Sequence, residues 1–401
     1  MSPLPSRNGI PETDLSLFLQ LCNPFSSSAP NNVSNASWHS LSELSKLHGV
    51  TPFLYYRAMS LGIKLPDQIG KEWLGYHLYQ IAKEKKARHQ VKELKDILAP
   101  KGIPFIILKG PSAILRFYLE PGLRTFCDLD ILIPADKVSA FKRIMKIKGY
   151  KPVAMLTSSE DEDLQQFECH LNPLWKEDAF KIEAHVSILG GKGNHLVALP
   201  EIWQDKEETN INGIVIDHLN KEHFLIHMLL HWIKDLSCYG FAQIKGLIDA
   251  LYALKTRGMD WSKFRDTARR WGVEREILLL VATMNHHWQA GIPLGDEARP
   301  FNLHTLVLGA ENQKKHYHSN IPADYIKRLL LTKDLSDTHS RIRYILHLLL
   351  PSQENLRRRF NLSSTRSTVP YYLPFIFLIC GRFFIGLWYR FFYHAEDGML
   401  R

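Results

Sequence analysis

Cysteine is scarce in this 401-residue chain, and its spacing excludes much. Cys22, Cys127, Cys169, Cys238 and Cys380 are odd in number, scattered and without a C-x-x-C pair. That argues against a disulfide framework or a cysteine zinc site and for free thiols in a reducing cytoplasm. The opening MSPLPSRNGIPETD lacks an apolar core, so no secretory signal is expected. No Walker A, G-x-S-x-G, dinucleotide or EF-hand pattern occurs, and no repeat of fixed period runs through the sequence. Long apolar runs are missing apart from Tyr371–Trp388, which is near the lower limit for a membrane span and carries Pro374, Gly381 and Arg382. It reads as a packed or interfacial helix.

Charge of one sign is in modest excess. The chain has 50 Lys+Arg against 41 Asp+Glu, a formal +9. Residues 301–401 hold 14 basic and 7 acidic residues, so +7 of that charge lies in the last quarter. The remainder is close to neutral, and binding to DNA is not expected on these grounds. Arg357–Arg359, Arg382 and Arg390 interleave with eleven aromatics between Tyr371 and Tyr393. This tail is expected to cover the fold or dock a partner, with membrane-surface contact second. With 45% hydrophobic and 23% charged residues the chain is an ordinary globular protein of two to three domains.

Periodicity divides it into a helical segment (1–95), an α/β core (96–216), a second helical domain (217–350) and the tail (351–401). Ser40 and Glu43 are spaced as a capping box, and Lys71–Leu98 reads as one long amphipathic helix halted by Pro100 and Gly102. Pro104–Leu108 reads as a buried strand, followed by a Lys109-Gly110-Pro111 turn and a helix from Ser112 to Leu119 with Pro111 at its first position. Asp128–Ile133 and Phe180–Ile188 alternate as strands, separated by a helix over 136–148. From Lys221 to Ala290 the pattern is helical, continuing to about Leu350.

The chemistry centres on Asp128 and Asp130. On a strand they share a face, while Leu129 and Ile131 point into the core. Two neighbouring carboxylates repel unless a cation lies between them, and Mg²⁺ takes oxygen ligands while leaving positions for phosphate. Gly110 at the preceding helix start permits close backbone approach, and Lys109 and Ser112 add a charge and a hydroxyl, which together make a phosphate cradle. Glu183 supplies a third carboxylate from a later strand, with His185 on its face. Three carboxylates can hold two ions and clamp an in-line displacement at phosphorus. His185 is either a base or a hydrogen-bond partner of Glu183. Arg124 either meets the triphosphate or pairs with Glu120.

The segment LKGPSAILRFYLEPGLRTFCDLDILIP resembles the signature of the uncharacterised nucleotidyltransferase family within the DNA polymerase β-like superfamily. WHSLSELSKLHGVTPFLY, HFLIHMLLHW and IKGLIDALY resemble its flanking helical segments, so the likeness spans about residues 35–295. It implies an α+β fold, a small mixed sheet flanked by N-terminal helices and a C-terminal helical bundle. It also implies Gly110 as the cradle glycine, Asp128, Asp130 and Glu183 as metal ligands, two Mg²⁺ ions, an NTP substrate (ATP foremost) and a hydroxyl acceptor that is a small molecule, peptide or protein. Two departures stand out: Pro111 intervenes between Gly110 and Ser112, and Glu183 replaces the more usual Asp. Those departures keep open a catalytically weak nucleotide-binding scaffold, and a third reading is transfer onto RNA, which would need a basic channel with stacking aromatics. His227 and His231 share a helix face but read as core or interface histidines, and Lys245 with Asp249 as a helix salt bridge unless Asp249 lines the cleft.

Overall fold

Among the described residues, four α-helices precede the sheet: α1 (Glu12–Leu21), α2 (Trp38–Leu47), α3 (Thr51–Ser60) and α4 (Asp67–Leu98). The computed structural model describes residues 10–374 except residues 32, 34–36, 154–169, 189–196, 198, 212, 240, 256–257, 305–306 and 308–366, of which only Gln353 and Arg357 are described. The tail beyond residue 374 and almost all of the helical stretch expected between 308 and 350 lie outside the described residues. So do Cys169 and Cys380, whereas Cys22 and Cys127 are free thiols. Helix α4 ends at Leu98 as expected but begins at Asp67, behind the Pro66 N-cap and four residues before Lys71, and leads into the 3-10 turn at Ala99–Lys101, where Gly102 at φ +65° turns the chain. The cap of α2 differs from expectation. Ser37, not Ser40, occupies the N-cap and accepts from the Ser40 backbone N–H, because the helix starts at Trp38, three residues earlier than the Ser40–Glu43 box implied.

Among the described residues, seven strands form one mixed sheet: β1 (Ile106–Ile107), β2 (Asp128–Leu132), β3 (Lys151–Pro152), β4 (Leu174–Trp175), β5 (Lys181–His185), β6 (Glu207–Ile211) and β7 (Ile214–His218). Their order is β3-β4-β5-β2-β1-β7-β6. The α+β architecture with a mixed sheet is the one expected, and it is larger than the three strands read from the sequence. The missed β6–β7 hairpin had a legible signal, Asn212-Gly213 between alternating runs, and Gly213 takes φ +84° at the turn. Strands β3 and β4 are two residues each and leave no periodicity to read.

Helix α5 (Lys109–Arg116) follows β1. It begins three residues before the expected start at Ser112, so Pro111 is its third residue, and Lys109 takes a left-handed φ of +50° to make the turn. Helix α6 (Val138–Ile147) leads into β3, and a short α7 (Leu199–Gln204) leads into β6. Then come α8 (Lys221–Tyr239), α9 (Lys245–Lys255), α10 (Trp261–Arg270) and α11 (Glu274–Trp288). No helix among the described residues is long and apolar enough to cross a membrane.

Two apolar clusters organise these parts. One joins the second half of α4, α6 and one face of the sheet, including Leu129, Ile131, Ile182 and Ala184. The other unites the N-terminal helices with α8–α11 and reaches α5 through Ala113 and Phe117. Helices that precede and follow the sheet in sequence therefore share one core, and they cover the opposite, polar face of the sheet.

That core also holds neutral histidines. Burial pushes His48 and His218 down to about 3 and His223 to about 4. Between those values and 6.5 the unfolded chain binds protons that the folded one refuses, so stability rises with pH through that window and is lost as pH falls. Thermal unfolding between pH 7 and pH 4 is expected to show a falling Tm, and His48→Gln should remove about one proton from the linkage slope.

Candidate functional site

The parallel pairing of β2 with β5 builds the site. Register sets Asp130 beside Glu183, with Asp128 beside Lys181 and Leu132 beside His185. Because alternate residues of a strand share a face, Asp128, Asp130, Glu183 and His185 emerge together, away from the apolar cluster beneath. Sequence reasoning placed the three carboxylates on two strands; the register that brings Glu183 level with Asp130 is a tertiary fact.

Asp130 is the hub. It is 3% exposed, and its Oδ1 accepts from the Lys109 ammonium at 2.6 Å and lies 2.9 Å from His185 Nε2. Burial alone would raise its carboxyl, but the Lys109 charge and then the His185 hydrogen bond outweigh it and hold Asp130 well below the carboxylate range. The neighbours shift the other way. Burial and then the Asp130 charge push up both Asp128 and Glu183, the mark of acidic groups crowded together without enough positive charge. Burial opposes the charge of Lys109, yet Asp130 and Glu183 overcome it and raise the amine above its usual value. Of the two roles open for His185, base or hydrogen-bond partner of Glu183, the structure shows a hydrogen bond, and its partner is Asp130.

The donor set fits a divalent ion. Asp130, Glu183 and His185 each offer one ligand atom, all within 4.8 Å of one another, and among the described residues they are the group of three that does so. Asp128 stands one step along the strand, half-buried, with the Cys127 thiol 3.7 Å from its Oδ2.

The approach to Asp128 is held by buried polar bonds. Gly122 takes φ +76°, donates its N–H to Glu84 at 2.9 Å, and packs so closely on α4 that an added Cβ would lie 3.1 Å from the His77 carbonyl oxygen. Thr125 donates its hydroxyl to the Gly49 carbonyl at 2.7 Å. Lys83 donates to the Phe126 carbonyl and lies over the Phe126 and Phe180 rings. Arg124 is buried and grips Asp249 of α9, Nε to Oδ2 at 2.8 Å and Nη2 to Oδ2 at 2.7 Å, while Tyr118 donates to Asp249 Oδ1 at 2.7 Å. Two expectations are corrected here. Arg124 does not pair with the exposed Glu120, and Asp249 does not pair with Lys245, because a buried guanidinium and a buried carboxylate on facing elements neutralise each other better than surface partners one turn away.

Gly110 has a specific duty in this arrangement. A Cβ there would meet Arg124 Nη2 at 3.1 Å, so the glycine lets the guanidinium lie against the first turn of α5. Ser112 is fully buried, and its hydroxyl is 2.9 Å from His218 Nδ1 on β7. Its placement ties α5 to the sheet, and of the residues expected to cradle phosphate, Lys109 and Gly110 stand at the start of α5.

Two neighbours were not read as site residues. Lys245, in the first turn of α9, stands within electrostatic reach of Arg124, Cys127 and Asp128; burial and then the Arg124 charge lower its amine to about 8. Its spacing from Asp249 puts both on one helix face, which is the signal that identifies it. His227 on α8 is buried as expected of an interface histidine, and it faces Lys109 and His185. His231 pairs with Asp235 at 3.2 Å one turn further on.

Residues 34–289 match the family described as uncharacterised nucleotidyltransferase. The chain belongs to that family. The matched range agrees with the extent of resemblance read from its motifs and contains every residue of the site. No curated protein matches the sequence. A solved structure, an antigenic nucleotidyltransferase-like protein from Paracoccidioides brasiliensis, is 14% identical, with 51% of this chain and 93% of that one covered and a TM-score of 0.34, a similarity that carries no argument on its own.

The Arg124–Asp249 pair is open to a direct test. Asp249→Ala leaves a buried guanidinium without its partner and should cost about 3–5 kcal/mol in urea unfolding. The double variant Arg124→Met with Asp249→Leu should be markedly more stable than Asp249→Ala, since no uncompensated charge is left.

Proposed function

We propose that this family member is a divalent-metal-dependent nucleotidyltransferase that moves a nucleoside monophosphate from an NTP, ATP foremost, onto a hydroxyl of a small-molecule, peptide or protein acceptor. The observation that carries this reading is the convergence of Asp128, Asp130 and Glu183 on one face of adjacent parallel strands, with Lys109 and Gly110 at the start of α5 beside them. Bound metal would neutralise the carboxylates and the triphosphate together and stabilise charge at the α-phosphorus. The protein's own residues supply position. Asp128, Asp130 and Glu183 would hold the ions, Lys109 brings a positive charge to the phosphate side, and the start of α5 presents its backbone to the anion. The acceptor hydroxyl gives up its proton to water, its oxygen bonds to the α-phosphorus, the bond to the β-phosphate oxygen breaks, and pyrophosphate leaves with the electron pair. His185 holds Asp130 in orientation, and Arg124 fixes the loop ahead of β2 rather than offering a free guanidinium. Catalysis of this kind is mostly positioning and charge neutralisation.

The fixed hydroxyl of Ser112 and the hold of Asp130 on Lys109 favour a second reading, nucleotide binding with little turnover in a scaffold for a biosynthetic partner. Incubation with labelled NTPs, Mg²⁺ and a panel of hydroxyl acceptors distinguishes them. Pyrophosphate release is expected and should fall by about 10³-fold in Asp128→Asn and in Asp130→Asn, the scale lost when charge-stabilising groups are removed. Nucleotide binding without release across the panel would favour the scaffold, and no binding at all would overturn both readings.

A further inference from the structure

We propose that the hydroxyl acceptor carries an anionic group, a phosphate or a carboxylate, and that Lys83, Lys86 and Lys181 receive it on the β5 side of Asp128. This rests on the nucleotidyltransferase reading given above and goes further by naming the class of acceptor.

Sheet order separates the two substrates. In the run β5-β2-β1 the start of α5 lies on the β1 side of β2, where the Leu108 N–H donates to the Asp130 carbonyl at 2.9 Å and Lys109 follows at once. A triphosphate laid against Lys109 and Gly110 occupies that side. Displacement at phosphorus is in line, so the attacking and leaving oxygens face each other across the α-phosphorus. The acceptor therefore comes from the other side, over β5. That strand opens with Lys181 beside Asp128, and Lys181 shares its face with Glu183 two residues on.

The rim on that side is basic, and its charge is not cancelled. Lys83 of α4 is half-buried, donates to the Phe126 carbonyl, and lies 5.3 Å and 5.6 Å from the centres of the Phe126 and Phe180 rings. Lys86, nearly one turn on and exposed, lies 6.0 Å from the Phe180 ring centre. Phe180 directly precedes Lys181, which is also exposed. Among the described residues, none of these three lysines has a carboxylate partner. Lysines nearby do: Lys92 pairs with Asp96 at 2.8 Å, and Lys176 with Glu93 at 2.9 Å.

Rings and a carbonyl hold the Lys83 ammonium in place without neutralising it. Burial works against that charge and lowers the amine below its ordinary value, even with Asp128 in electrostatic reach. An incoming anion relieves this, and the exposed Lys86 and Lys181 can close on it from either side of Phe180. A phosphate or carboxylate offers several acceptor oxygens to such ammonium groups. A neutral alcohol offers none of that charge and leaves Lys83 uncompensated.

Lysine acetylation read by mass spectrometry tests this on the unaltered chain. The full-length protein, loaded with Mg²⁺ and the non-transferable α,β-methylene analogue of ATP, is offered glycerol 3-phosphate, glycerate or glycerol. The two anions are expected to protect Lys86 and Lys181 severalfold while Lys71, exposed near the start of α4, reacts unchanged, and glycerol should protect neither. Calorimetry on the same complex should show each anion weakened by about tenfold in Lys86→Gln and in Lys181→Gln, the scale of one lost hydrogen bond between charged groups. Affinity for the ATP analogue should change little. Tighter binding of glycerol 3-phosphate than of glycerate would assign a phosphate, and the reverse a carboxylate. Absence of anion binding, binding no tighter than that of glycerol, binding without protection, or affinities unchanged in both variants overturns the proposal and, with the ATP analogue bound, leaves the nucleotidyltransferase reading standing. Failure of the ATP analogue to bind overturns that reading as well.

Discussion

A carboxylate that must stay ionised while buried sets the terms for the rest of the structure. Asp130 is enclosed by the sheet beneath it and by α5 and α8 above, an environment that by itself would protonate it. The Lys109 ammonium and the His185 ring prevent this, and each imposes a demand on the fold. Lys109 reaches Asp130 only because the chain leaves β1 and turns at once into α5 through a left-handed residue. His185 reaches it only because β5 runs parallel to β2 in one register; a slip of one residue would turn both Glu183 and His185 into the apolar cluster.

A second buried pair does for the helices what the first does for the sheet. Arg124 lies on the loop that delivers the chain to Asp128, Asp249 lies on α9, and Gly110 leaves room for the guanidinium between them. Three elements distant in sequence are thereby fixed to the same point. Buried ion pairs add little net stability compared with apolar packing, but they penalise wrong arrangements heavily, since separation strands a charge in a dry interior. The shared core of the N-terminal and later helices supplies the stability, and the pair specifies how that core sits over the acidic face.

The acidic strand, the glycine turn, the third carboxylate and its histidine were legible because each rests on local rules: strand alternation, turn chemistry, and the cost of neighbouring like charges. The long α4 was legible because propensity and periodicity agree over 32 residues. What escaped were features whose cause lies elsewhere in the chain. Ser112 looked like a phosphate ligand until His218, 106 residues on, was found beside it. Arg124 and Lys245 each had an acidic residue at helical spacing, and both local pairings gave way to one long-range pair. The two-residue strands left no pattern, and the β6–β7 hairpin had its Asn-Gly signal at the end of the α/β core, just before the helical domain.

The sequence alone determined which residues could gather into an acidic site, because residue types on a strand of fixed two-residue period already put Asp128 with Asp130 on one face and Glu183 with His185 on another. Tertiary structure decided how those pairs meet. Strand register is fixed by burial of Leu129, Ile131, Ile182 and Ala184 against α4 and α6, and no local rule states which strand lies beside which. From that register comes the trio of Asp130, Glu183 and His185, and from packing of distant helices come the partners of Lys109 and Arg124.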